Sequence, residues 1–307
     1  MLMQPKTAMR AIIHALEPAK EMPHSERSPF QHLRGTWRLL NDWGMPNDLC
    51  LAGLFHSVYG TAEYRNVLFT AAERQTVRRL IGVHAESLAY IFSIGDREAI
   101  WDNLEALAEL PKRLDVRVFG TDGLMRVSGD VVGRLLVIEC ANFADQTCAV
   151  DGLPAPWMSW LLHWRQHLEP SAFRPPWASL VEDLTLEADQ TACRLYREAV
   201  SSEPSMRRGL LEECVRTNQY AAEPRILLAA DAIDCGRYGD AAIAIRLAMN
   251  IPRVWSTTWD KRMTFREWSR QAERLASLSG RFQNDGCLDT FIEVLRKPPT
   301  RRRSLYE

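Results

Sequence analysis

The stretch Phe30–Thr61 reads FQHLRGTWRLLNDWGMPNDLCLAGLFHSVYGT, and it decides the character of the first half of the chain. Just before it, Ser28-Pro29 reads as a helix start. A serine offers its hydroxyl to a backbone N–H that has no helical partner, and a proline at the first helical position has no N–H to leave unpaired. The helix so begun runs to about Trp43, where Gly44 supplies the left-handed conformation that ends helices. Pro46 opens a second helix, with Leu49, Leu51, Ala52, Leu54 and Phe55 as its apolar residues. A histidine sits on each: His32 early on the first, His56 closing the second.

Reading outward, helical periodicity continues in both directions. Upstream, about Thr7 to Pro18 reads as a short amphipathic helix, and the first twenty residues lack the apolar run and cleavage site of a secretory signal. Downstream, one helix spans roughly Ala72–Ile94 with a break near Gly82, and another spans Arg97–Leu110. Leu114–Gly129 (with VRVFGTDGLMRV) reads as a loop or a small hairpin, and a buried helix follows from about Asp130 to Thr147. The predicted class is all-α, in three stretches: a helical domain over 1–150, a connector over 151–180 and helical hairpins with a C-terminal cap over 181–307. The connector holds five prolines among Trp157, Trp160 and Trp164, and so many aromatics predict a packed segment.

The His32-to-His56 spacing and the Ala-Gly-Leu-Phe-His context resemble the HD superfamily, in which a His on one helix and a His-Asp ending the next gather a divalent metal. The closest pattern is that of the (p)ppGpp hydrolase domains, since Gly82–Leu88 (GVHAESL) and Glu139–Gln146 (ECANFADQ) fall in comparable places. The variant His56–Thr61 (HSVYGT) also resembles an uncharacterised bacterial family with a helical C-terminal half. The resemblance covers about the first 150 residues. It implies a helical bundle with a metal core, water attack on phosphorus in a small phosphorylated or nucleotide-like substrate, or, as in iron-holding relatives, metal-dependent oxidation.

Three departures bear on that expectation. Ser57 stands where the family has the ligating Asp, Gly60-Thr61 replaces an acidic pair, and Asn142 replaces a second Asp. Carboxylates hold hard cations, so a site of His32, His56 and Asn142 favours Zn²⁺ or Fe²⁺ over Mg²⁺, with Mn²⁺ also to be considered. His24, upstream of His32, and Asp145, which shares a helix face with Asn142, are further candidate ligands. Glu139 and His84 are candidates to border the pocket. Glu86, Tyr59 and Thr61 are the candidates for catalysis. Arg78, Arg79 and Ser57 are the candidates for binding an anionic substrate. Each also has an ordinary reading as a core or capping residue. The opposing expectation is an inactive HD-like module that binds a ligand or a protein.

Glu223–Asn250 (EPRILLAADAIDCGRYGDAAIAIRLAMN) reads as two helices joined at Gly236, with small residues that let them approach closely. It resembles a tetratricopeptide hairpin, which implies a surface for a protein partner. Thr191–Val200 and Met206–Thr217 read as a second hairpin, and Trp259–Leu278 and Asp289–Lys297 as a cap. The segment Trp255–Trp268 is either an aromatic and cationic wall or, as preferred, a Trp-anchored packing seam. His163 and His167, at i and i+4, have the spacing of a metal pair, but with no third ligand nearby they read as a solvated helix face.

Composition removes several classes. With 38 Lys and Arg against 39 Asp and Glu, the net charge of −1 predicts no nucleic-acid partner, the basic run Lys297–Arg303 notwithstanding. No apolar stretch is long enough for a membrane span. Seven cysteines without a CxxC pair predict reduced core thiols and a cytoplasmic protein. Gly-rich phosphate loops, GxSxG and HExxH are absent from the sequence.

Overall fold

In a computed structural model, the structure is described for residues 5–22, 28–62, 64–105, 112–146, 157–168 and 174–281. His24, the expected cap helix Asp289–Lys297 and the basic run after it lie outside these residues. The described chain is mostly helical. Its contacts divide it into two units: Met1–Asp145 with Trp164–Ala178, and Gln146–His163 with Ser179–Glu307.

In the first unit, α1 (Pro5–Ala15) leads through a 3₁₀ turn to α2 (Pro29–Asp42) and α3 (Asn47–Leu54). The start of α2 is a full capping box: Gln31 N–H donates to Ser28 Oγ, and Ser28 N–H donates to Gln31 Oε1. Gly44, at φ 70°, ends the helix as its position predicts. Next come α4 (Arg74–Ile81), α5 (Val83–Ile94) and α6 (Arg97–Glu105), with Gly82 at φ 86° separating α4 from α5. The glycine-containing segment is a hairpin of β1 (Arg113–Arg117) and β2 (Leu124–Ser128), antiparallel with Asp115 opposite Arg126. The long helix α7 (Gly129–Asp145) follows, buried through most of its length.

Helix α2 packs on α3 and α7, and α3 packs on α5. Two glycines set how closely. A β-carbon at Gly53 would lie 2.2 Å from Leu40 Cδ1, and one at Gly35 only 1.8 Å from Asp145 Oδ1. The bare backbone of α2 at Gly35 is therefore what admits the Asp145 carboxylate at the end of α7.

The second unit stacks α10 (Leu186–Ser201), α11 (Pro204–Thr217), α12 (Glu223–Asp234) and α13 (Tyr238–Asn250), each packed on the next where a short turn joins them. Gly236, at φ 71°, makes the α12–α13 turn. The short α14 (Pro252–Trp255) precedes α15 (Phe265–Arg281), which packs on α12 and α13. The expected helix from Trp259 begins six residues late, at Phe265. Thr264 and Glu267 form a reciprocal cap there: Thr264 N–H donates to Glu267 Oε2, and Glu267 N–H donates to Thr264 Oγ1. The Thr-x-x-Glu signature of that cap is plain in the sequence.

Helices α8 (Trp157–Leu168) and α9 (Trp177–Leu180) are the described parts of the Trp-rich stretch. Trp157, Trp164 and Trp177 are buried, as packing rather than disorder requires, with Trp164 on Trp101 and Trp177 on Trp43 at ring separations of 5.8 Å. His167 corrects the expectation of a solvated face: it is buried against the Trp164 ring. No helix among the described residues is long and apolar enough to cross a membrane. The described cysteines are free thiols, with Cys50, Cys140 and Cys214 buried and Cys235 exposed. Burial pushes the Cys50 thiol up to about 11, which keeps it protonated and unreactive.

Candidate functional site

Helices α2, α3 and α7 bring His32, His56 and Asn142 together in the first unit. The His32 and His56 rings meet edge to face at 5.1 Å. Both side chains are buried, and Asn142 and Asp145 are buried with them. His56 Nδ1 lies 2.7 Å from the Gly53 carbonyl oxygen. A carbonyl only accepts, so Nδ1 carries the proton and Nε2 is the lone-pair atom of the neutral ring. The ring stays neutral because burial pushes its pKa down to about 4. The Gly53 bond pulls that value up, the Arg97 charge pushes it down, and a bond with Asn142 pulls it up. Ser93 Oγ donates to the His56 carbonyl and Phe92 packs on the ring, so α5 fixes the residue from the other side.

His32 is held in the same manner by different atoms. Its Nδ1 lies 2.7 Å from Asp145 Oδ2, and its Nε2 lies 2.8 Å from Asn142 Oδ1. The Asn142 amide donates to Glu139 Oε2 at 3.0 Å, which orients the carboxamide oxygen toward His32. Glu139 in turn lies 3.6 Å from the Arg97 guanidinium. Residues 139, 142 and 145 recur at three-residue steps along α7, so one side of that helix brings Asn142 and Asp145 to His32 and sets Glu139 behind Asn142.

In each imidazole Nδ1 is thus committed to a fixed acceptor, a carboxylate for His32 and a backbone carbonyl for His56, and Asn142 bonds both rings. A hydrogen-bonded Nδ1 is the support that metal-ligating histidines use to present Nε2. Both nitrogens of His32 face oxygen acceptors, so a cation would have to displace the Nε2 proton directed at Asn142 Oδ1; it would then meet two imidazole nitrogens and one amide oxygen, with Asp145 and Glu139 behind them rather than beside it. That set is neutral and rich in nitrogen, which suits Zn²⁺ or Fe²⁺. Among the described residues no group of three or more His, Cys, Asp and Glu side chains is placed to hold a metal ion.

The remaining candidates form a second arrangement. Glu86 on α5 is fully buried and chelated from α4: Arg74 Nε and Arg78 Nε approach its two oxygens at 2.6 and 2.8 Å, and Tyr59 Oη donates at 3.1 Å. Burial alone would raise the Glu86 pKa. The hydrogen bonds from Arg74 and Arg78 more than offset it, so the carboxyl lies below its ordinary range. Burial and the Glu86 charge beside it push the Tyr59 phenol up. Arg74 also lies over the Tyr90 ring, 3.6 Å from its centroid. Glu86 is therefore an ionised anchor with its lone pairs occupied, the opposite of a carboxylate poised to take a proton.

Arg79 is exposed and bonds Thr76. His84 is exposed as well. Thr61 is buried and accepts from the Tyr64 N–H, which closes the turn begun at Gly60 (φ 78°). Ser57 is half-buried, and its carbonyl accepts the Gly60 N–H.

The sequence reading missed Arg74, Arg97 and the Gly53 carbonyl. The signal for Arg74 was present, since Arg74 and Arg78 stand at i and i+4 on one face of α4. Nothing local points from Arg97 to Glu139.

A family model for a domain of unknown function (DUF6817) matches residues 14–97, a span that contains His32, His56 and the Glu86 cluster and stops short of Asn142. No curated protein and no solved structure matches the chain.

Proposed function

We propose that the first half of the chain is an atypical HD-like domain in which His32, His56 and Asn142 hold a divalent ion, and that it acts on a small phosphorylated or nucleotide-like substrate by hydrolysis or by metal-dependent oxidation. One observation carries this reading: two buried imidazoles with Nδ1 anchored on separate acceptors share a single carboxamide. A divalent ion bound there would supply Lewis-acid chemistry at a phosphoryl oxygen. The chain's own contribution is orientation. Asp145 and Gly53 keep the rings from turning, Glu139 keeps the Asn142 oxygen directed at His32, and burial keeps His56 neutral and available as a ligand at any pH well above 4. Arg78 is the nearest candidate for an anionic substrate, and it serves that role only by sharing its charge with Glu86. We read α10–α13 as tetratricopeptide-like hairpins and the protein as cytoplasmic, in keeping with its free thiols.

A second reading, an inactive HD-like binding module, is favoured by Ser57, Gly60-Thr61 and Asn142, which remove the carboxylates that such metal sites use. Elemental mass spectrometry of protein purified without a metal-chelating tag separates the two. The metalloenzyme reading predicts near-stoichiometric zinc, iron or manganese that is lost in His56→Ala, with the metal's identity dividing hydrolysis from oxidation. Absence of metal from both proteins after reloading, with the variant still folded, leaves the binding module.

A further inference from the structure

Helix α13 buries Ala241, Ile245 and Ala248 against its neighbours and turns a different face outward. Ile243, Leu247 and Met249 are large, apolar and 44–53% exposed, and of these Met249 faces α15. A groove of about 570 Å³ runs between this helix and α15, with Ala242, Ile245 and Met249 from α13 and Ala276 and Gly280 from α15 along its walls. Arg246 and Arg253 stand in the same lining. Positions 242, 246 and 249 fall at i, i+4 and i+7 on one side of α13, and Arg253 follows on α14. Both arginines are exposed, and neither makes an ion pair with another described residue. The lining holds no carboxylate, and its two charged side chains are both arginines.

From these features we infer that the α13–α15 groove is a docking site for an amphipathic helix of a partner protein, with an apolar stripe flanked by carboxylates. An apolar helical face laid into a groove is a recurrent recognition mode. Apolar lining is what such a groove offers to an apolar stripe, and here Ala242, Met249 and Ala276 supply it. The two guanidiniums, unpaired among the described residues, select the sign of the occupant: a basic helix would be repelled, and an acidic one would complete both ion pairs. The inference is independent of the His32–His56 reading.

The test uses the full chain and two synthetic helical peptides with leucines at i, i+3, i+4 and i+7, one flanked by glutamates and one by lysines. Binding is followed by fluorescence anisotropy. Ala242→Trp fills the groove from an exposed position, and Arg246→Glu with Arg253→Glu reverses its charge. Circular dichroism verifies that both variants are folded. The inference predicts saturable binding of the glutamate peptide, loss of it in Ala242→Trp, and at least about tenfold weakening on charge reversal together with a gain for the lysine peptide. Equal binding of the two peptides, no binding of either, or binding unaffected by Ala242→Trp overturns it. So does a wild-type dimer in sedimentation that Ala242→Trp dissociates, because the groove would then be an interface between copies of this chain.

Discussion

Each unit buries a network of polar side chains, and the two differ in what their donors and acceptors leave over. In the second unit Asp189 is fully buried and accepts from Ser159 Oγ at 2.5 Å, Asn218 Nδ2 at 2.7 Å and Trp259 Nε1 at 3.0 Å. Asp260 accepts from Tyr196 and from the Arg262 guanidinium, and Trp268 donates to its backbone carbonyl. Lys261, also buried, bonds Thr257 and lies over the Trp157 ring. This network joins α10, the turn before α12 and the segment ahead of α15. Its indole, guanidinium and ammonium donors have no lone pair to offer a ligand. The first unit's network is built on imidazoles, which both donate and accept and which bind metals. Burial of charge is common to both; the imidazole chemistry is the ground on which the first is proposed as a site and the second is read as structure.

Three substitutions break or sharpen that contrast. The largest effect is expected from Asp189→Ala, which orphans three buried donors at once and leaves a cavity. Chemical denaturation should show a loss of about 4 kcal/mol, and a loss below about 1 kcal/mol would mean that the second network is not structural. Next is Gly35→Ala. Its methyl group would overlap the Asp145 carboxylate and push it off His32, at a cost of about 3 kcal/mol. Metal retention should fall with stability there, whereas Asp189→Ala should leave the metal content of the folded protein unchanged.

The third is Glu223→Gln. Glu223 accepts from the Trp259 N–H through Oε1, while its buried Oε2 has no partner among the described residues. Burial, and then the Asp260 charge, push its pKa from 4.5 up to about 7. A raised folded-state value means that the folded protein holds the proton more tightly. The stabilisation is therefore complete at low pH and is lost as pH rises from about 4.5 through 7. The Glu223→Gln variant should lose that dependence and be more stable than the wild type at pH 8 by on the order of 2 kcal/mol. Unchanged pH dependence of thermal unfolding in the variant would show that Glu223 is not the titrating group. His56 has the opposite sign: its depressed value predicts stability that falls as pH drops from about 6.5 through 4.

Much of the first network was legible in the sequence. The start of α2, the stop at Gly44 and the apolar run into His56 place two histidines on adjacent helices, and the three-residue steps 139, 142 and 145 place three polar groups on one face of α7. Which group contacts which was not legible. Asp145 reads as a candidate ligand in the sequence, whereas the structure sets it on the Nδ1 side of His32, because only the close approach at Gly35 lets it reach that atom. Glu86 reads as a catalytic carboxylate, yet two arginines one turn apart on α4 occupy it. The second network was almost wholly hidden. Asp189 and Trp259 are far apart in the chain, each looks ordinary in its local pattern, and only the fold brings them within 3.0 Å. The Trp-rich segment before α15 did signal packing, and its tryptophans are buried as that signal requires.

The most direct measurement is a long-range ¹H–¹⁵N correlation spectrum of the imidazole rings, recorded before and after one equivalent of Zn²⁺. His32 and His56 Nε2 are predicted to shift together, while Nδ1 of both rings keeps the signature of a hydrogen-bonded N–H, held by Asp145 and Gly53. Spectra in which one equivalent of bound zinc leaves both Nε2 resonances in place, or in which other histidines move instead, would contradict the assignment of this cluster as the metal site.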